Sequence, residues 1–222
     1  RTAYEKLTEL QKNLVTNYDV LVEAERKLES LKDSVEFRTA YDNTRKSLME
    51  LGTPGVGSVG GEWMVIGLAR SGNEIGEEYY KNAVAYILEN IDEQGRLHRA
   101  KSSDNSRMIL ALTAIGKDVT NVQGHNLLSG LSDMDYIEKQ GINGPIWALL
   151  ALDSGNYPVP ENGNVTRDGL LRTILGAQLR DGGWALSGEE SDPDMTGMAL
   201  QALAPYCQSE AVVQAAVDRA LV

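Results

Sequence analysis

The chain has 222 residues, enough for one or two domains with a sizeable core. Its formal net charge of −11, with no lysine/arginine block, argues against a nucleic-acid backbone or an anionic membrane surface as partner. The apolar runs are too short to span a bilayer, so no membrane insertion is expected. The single cysteine, Cys207, excludes an internal disulfide framework and a cysteine-based zinc cluster.

Taken in chain order, residues 1–32 place apolar side chains at Leu7, Leu10, Leu14, then Val20, Leu21, Ala24, Leu28 and Leu31. The steps are mostly of three and four residues, broken at Thr16-Asn17, which predicts a helical hairpin with charged faces. The chain opens on Arg1 and reads as a fragment or a processed product. A helix over about 34–51 follows, stopped by GTPGVGSVGG. That stretch is short and enters an apolar helix directly, so it reads as a structured corner.

From Gly61 onward the chain repeats itself. EWMVIGLARSG (62–72), SRMILALTAIG (106–116), PIWALLALDSG (145–155) and TGMALQALAPY (196–206) are versions of one apolar helix. Each is followed by a second helix, at about 77–91, 124–139, 167–179 and 209–221. Self-similarity at this period predicts stacked helical hairpins. The first helix of each pair is nearly free of polar residues and is expected inside; its partner is amphipathic and is expected outside. There is almost no strand pattern, so the fold class is all-α.

The densest stretch is DGGWALSGEESDPDMTG (181–197). With the residues before it, QLRDGGW carries Gln178, Asp181, Gly182 and Trp184 in the order Gln-x-x-Asp-Gly-x-Trp. This resembles the repeat signature of the squalene cyclase/prenyltransferase superfamily, which includes terpenoid cyclases, protein prenyltransferase β-subunits and transcobalamin-like cobalamin carriers. Ile174 fits the upstream aliphatic position, while Thr173 stands where an aromatic is usual. A degenerate copy lies at YILENIDEQGRL, with Ile91 in place of the glutamine and Leu97 in place of the tryptophan. The resemblance implies an α/α toroid, two concentric layers of helical hairpins, over 33–222. A complete ring has about twelve helices, and this chain supplies four hairpins and one leading helix. The expectation is therefore an incomplete toroid, preceded by a hairpin spacer at 1–32. Apolar inner-helix surface would then be covered by a further C-terminal segment, a dimer or a ligand.

Class II terpene cyclases protonate an alkene with the middle aspartate of Asp-x-Asp-Asp; here Asp194 takes that position, after Asp192, and Met195 replaces the last acid. Read as residues, Asp192 is a good N-cap, Pro193 suits the first helical position, and the helix dipole favours Asp194 charged. A general acid needs the opposite. The prenyltransferase zinc site would require an aspartate where Pro205 stands. Cys207 reads as a small buried hydrophobe. Glu189, Glu190, Asp192 and Asp194 offer oxygens to calcium, but no glycine-spaced calcium loop holds them, and a solvated charge run is the simpler reading. No metal is expected.

Trp63, Trp147 and Trp184 all stand at or near the starts of repeated helices. Trp184 belongs to the signature and is assigned to packing with Gln178, Asp181 and Gly182. Glu62, Trp63, Arg107, Asn143, Trp147 and Asp194 are placed at the mouth where the helix starts converge, with aromatics for stacking and polar groups for orientation. The expected function is non-catalytic: binding of a small molecule or a protein, with a cobalamin-like ligand as the carrier precedent. A terpene cyclase-related enzyme acting through Asp192 and Asp194 is the alternative, and a structural spacer in an adhesin-like protein is a third. The first 31 residues also resemble a helical spacer of large surface proteins of Gram-positive bacteria, which implies an extracellular or wall-attached location.

Overall fold

The computed structural model describes Thr8, Lys12, residues 18–32 and residues 35–221. Among these residues it holds ten α-helices and no strand, as the all-α reading expects. No helix among them is long and apolar enough to cross a membrane. The chain divides into two compact units, Arg1–Leu51 and Gly52–Val222.

In the first unit α1 (Tyr18–Lys32) packs against α2 (Val35–Glu50). Helix α1 is described from Tyr18; the break expected at Thr16-Asn17 and the helix expected before it lie outside the described residues. Helix α2, which the sequence reading places at the head of the repeats, groups with α1. The physical reason lies in its composition: VEFRTAYDNTRKSLME has no buried residue and no continuous apolar stripe to offer a core.

The second unit contains α3 (Val59–Arg70), α4 (Glu77–Asn90), α5 (Ser102–Ala114), α6 (Met134–Glu138), α7 (Asn143–Ser154), α8 (Arg167–Gly176), α9 (Pro193–Leu203) and α10 (Ala211–Ala220). The four repeated apolar helices form a row in which α3 packs on α5, α5 on α7 and α7 on α9. Helix α8 lies on α7 and α10 on α9. The composition explains the layering. Helix α7 (NGPIWALLALDS) buries Ile146, Ala148, Leu149, Ala151 and Leu152, on nearly all sides. Each such large aliphatic side chain contributes about 1.5–3 kcal/mol relative to exposure. Helix α4 buries only the stripe Tyr79, Ala83 and Ile87, at a spacing of four. These side chains belong to one continuous core cluster.

The partner helix expected at about 124–139 is not one helix. It is a 3₁₀ segment, Leu127–Leu131, followed by the short α6. Two competing caps cause the break: Asn126 accepts the Leu128 N–H, and Asp133 accepts those of Asp135 and Tyr136. Side chains that bond their own backbone in this way favour turns over helix interiors.

The signature QLRDGGW forms the corner between α8 and α9. Leu179 and Gly183 close a tight turn, with Leu179 N–H donating to the Gly183 carbonyl at 2.9 Å. Gly182 sits at φ +96°, and a Cβ there would strike the Arg219 carbonyl of α10; only glycine fits both conditions. Gln178 Nε2 donates to the carbonyls of Gly182 and Ala216, both at 2.7 Å, fastening the turn to α10. Trp184 is fully buried and its indole N–H donates to the Ile174 carbonyl at 2.7 Å. Asp181 accepts from the N–H groups of Gly183 and Ser191, and these bonds hold its carboxyl below the usual carboxylate range. The degenerate copy has the same backbone: Asp92 N–H donates to the Arg96 carbonyl at 3.0 Å, and Gly95 has φ +79°. Leu97 then falls where Trp184 falls, and is likewise buried.

Candidate functional site

The stretch GTPGVGSVGG folds back on α3. Ser58 caps the helix by accepting the Gly61 N–H at 3.0 Å. Glu62, in the first turn, accepts the Gly57 N–H at 2.7 Å through one carboxylate oxygen. Its other oxygen accepts the Arg107 Nε–H of α5 at 3.0 Å. Arg107 also donates to Asp104, three residues earlier on α5, at 3.1 Å. The Glu62 side chain is 1% exposed and that of Arg107 12%, so this is a largely buried ion pair in which both Glu62 oxygens are hydrogen-bonded. A buried charge demands such a set, because an unpaired one costs several kcal/mol.

Tyr79 and Tyr86 of α4 feel the same charges. Burial raises both phenols; the Glu62 carboxylate adds to the effect on Tyr79, and Asp104 and Glu62 add to that on Tyr86. The Tyr79 hydroxyl is buried without a hydrogen-bond partner among the described residues.

Helix α5 starts at Ser102 without a side-chain cap from Lys101. Gln140, in the loop before α7, supplies the missing acceptor: its Oε1 takes the Ser103 N–H at 3.0 Å. Helix α7 begins with Asn143, whose Oδ1 accepts the Trp147 indole N–H one turn later at 2.9 Å. Gly144 lets this helix start approach the Ile137 carbonyl of α6, where a Cβ would collide. Trp147 meets Trp63 of α3 with ring centroids 4.9 Å apart and planes tilted by 51°, within the range of favourable aromatic pairs.

These groups enclose a pocket of about 430 Å³, lined by Gly57, Trp63, Lys101, Ser103, Asp104, Arg107, Gln140, Asn143 and Trp147. That volume suits a small molecule. Of the residues assigned to the mouth from sequence, Trp63, Arg107, Asn143 and Trp147 line it, and Glu62 stands behind as the anchor of Arg107 and Gly57. Asp194 does not: it is exposed on the first turn of α9, so three helix starts meet here and not four. Sequence reasoning missed Gly57, Lys101, Ser103, Asp104 and Gln140. Asp104 three residues before Arg107 was a usable signal; Gln140 carried none, since it acts on a helix 37 positions away.

The remaining candidates lie elsewhere. Asp192 is the N-cap of α9 and accepts the Met195 N–H at 2.7 Å, with Pro193 opening the helix. One of its carboxylate oxygens is thereby taken, and Glu189 and Glu190 are exposed. Among the described residues no three His, Cys, Asp or Glu side chains are gathered to hold a metal ion, so the calcium candidates Glu189, Glu190 and Asp192 are not assembled into a site. Cys207 is half-buried, and burial raises its thiol pKa. No family model, curated protein or solved structure matches this chain.

Proposed function

We propose that the second unit is a non-catalytic binding module, an incomplete α/α toroid of the squalene cyclase/prenyltransferase-repeat type. It takes a small ligand in the pocket between the starts of α3, α5 and α7. The observation that carries this reading is the Trp63–Trp147 pair beside partly exposed polar side chains, an apolar platform with orienting groups around it. The toroid reading draws support from the row α3–α5–α7–α9 and from the matching corners at 92–97 and 179–184. A catalytic role for Asp192 or Asp194 has no support of this kind: one is a cap and the other faces water, not the dry cavity a strong acid needs. A corrinoid is much larger than the pocket and would be held only at its rim. The module is assigned to a bacterial surface protein on the strength of its N-terminal spacer.

The test is a thermal-shift screen of the purified chain against sugars, ring carboxylates, corrinoids and polyprenyl compounds. Hits that vanish in both Trp63→Ala and Trp147→Ala, with folding intact by circular dichroism, support the reading. A hit that survives both substitutions, or turnover of a polyprenyl substrate, overturns it.

A further inference from the structure

The hydrogen bonds left unmade in the pocket specify what it binds. Two amides line it, and the orientation of each is fixed by its donors. Gln140 Oε1 accepts the Ser103 backbone N–H at 3.0 Å and the Ser102 hydroxyl at 3.5 Å. Asn143 Oδ1 accepts the Trp147 indole N–H at 2.9 Å. Both amide oxygens are therefore occupied, and both NH₂ groups have no partner among the described residues. The Lys101 ammonium and the Ser103 hydroxyl are likewise unpartnered there. Lysine carries three donors and no acceptor, and each amide NH₂ carries two donors.

The acceptors tell the reverse story. Both Glu62 oxygens are taken, by Gly57 N–H and by Arg107. Asp104 gives one oxygen to Arg107 at 3.1 Å and keeps one. The pocket thus presents nitrogen donors in excess, with one carboxylate oxygen already offset by a guanidinium. Such a lining matches a ligand rich in acceptors. The indoles add a second constraint. Their centroids, 4.9 Å apart, leave no slot between them, since a sandwiched ring needs about 7 Å, twice a carbon–carbon contact of about 3.5 Å. A ring must stack on the outer face of one indole. A quaternary ammonium on the same faces would be repelled by Lys101.

We infer that the ligand is a ring bearing a carboxylate: the ring stacks on the Trp63–Trp147 pair and the carboxylate accepts from Lys101, Gln140 and Asn143. This rests on the binding reading above and specifies its ligand. Two sources share the chemistry, an acidic sugar and a carbocyclic acid, and the test separates them.

The ¹⁵N-labelled chain is titrated with matched pairs, glucuronate against glucose and cyclohexanecarboxylate against cyclohexylmethanol. The indole N–H resonances are followed, with buried Trp184 as the internal control. Each acid whose ring the platform accepts is expected to bind at least about tenfold tighter than its neutral partner, the scale of one charge-assisted hydrogen bond. Trp63 and Trp147 should shift and Trp184 should not. Lys101→Gln, at an exposed position, should erase most of the acid preference; Trp63→Ala should weaken both members of a pair. Equal binding of acid and neutral partner, or an acid preference that persists in Lys101→Gln, overturns the inference while leaving the binding reading intact. Absence of any indole shift with all four probes overturns both.

Discussion

Arg107→Met removes the cation paired with Glu62 and leaves a carboxylate that is 1% exposed with the Gly57 N–H as its remaining partner among the described residues. Breaking a buried pair from one side costs about 3–5 kcal/mol. Glu62→Leu should cost less, about 1–3 kcal/mol, because Arg107 keeps Asp104 and the main loss is the Gly57 hydrogen bond. The double variant should then be less destabilised than Arg107→Met alone, since it removes the stranded charge. Urea unfolding followed by tryptophan fluorescence measures this directly. All three tryptophans, Trp63, Trp147 and Trp184, lie in the second unit, so the signal reports that unit only. With a slope of about 2 kcal/mol per molar urea, the Arg107→Met midpoint should fall by about 2 M. A midpoint within about 0.5 M of the parent, or a double variant at least as destabilised as Arg107→Met alone, would refute the reasoning.

Asp192→Ala should destabilise by about 1 kcal/mol through loss of the α9 cap, whereas Asp192→Asn, which keeps the acceptor, should be nearly neutral in the same urea assay. Tyrosine ionisation gives a pH prediction. Burial, and then the hydrogen bond to Asp153, push Tyr206 up to about 12, and burial raises Tyr79 and Tyr136 as well. Unfolded tyrosines ionise near their ordinary value of about 10. Folding therefore favours the neutral phenols, and their contribution is complete below pH of about 10 and is lost as pH rises toward 12. Tyrosinate absorbance should show at least these three of the nine tyrosines ionising late, together with unfolding; if all nine titrate near 10 with the helical circular dichroism intact, the assignment fails.

How much of this was readable in advance depended on whether the cause was local. The apolar helices at 59–70, 102–114, 143–154 and 193–203 announce themselves because a helix buried on most sides has few polar residues to spare. The cap at Asp192 was legible because the cap, the proline and the first-turn acid are consecutive. The break inside 124–139 was not, because the apolar run continues through it and only the bonds of Asn126 and Asp133 reveal the turns. At the pocket, Glu62, Trp63, Arg107, Asn143 and Trp147 could be found by their common place in the first two turns of the repeated helices. Gln140 and Lys101 could not, since one serves a distant helix and the other sits on the rim of a space that exists only after folding.

The paired corners also determine where this chain can change length. In each, the residue after the turn, Leu97 or Trp184, donates its N–H to a side chain on the next apolar helix: Asn105 in one case, at 2.8 Å, and Thr196 in the other, at 2.9 Å. The first partner lies eight residues on and the second twelve. The extra residues fall in the stretch that holds Glu189 and Glu190, whose two ends are tied by the Asp192 N–H to the Trp184 carbonyl and the Ser191 N–H to Asp181. The frame closes beneath this excursion and does not feel its length. The acidic loop is therefore an expansion joint, the natural place for an inserted peptide, an affinity tag or a protease site that leaves both flanking helices in register.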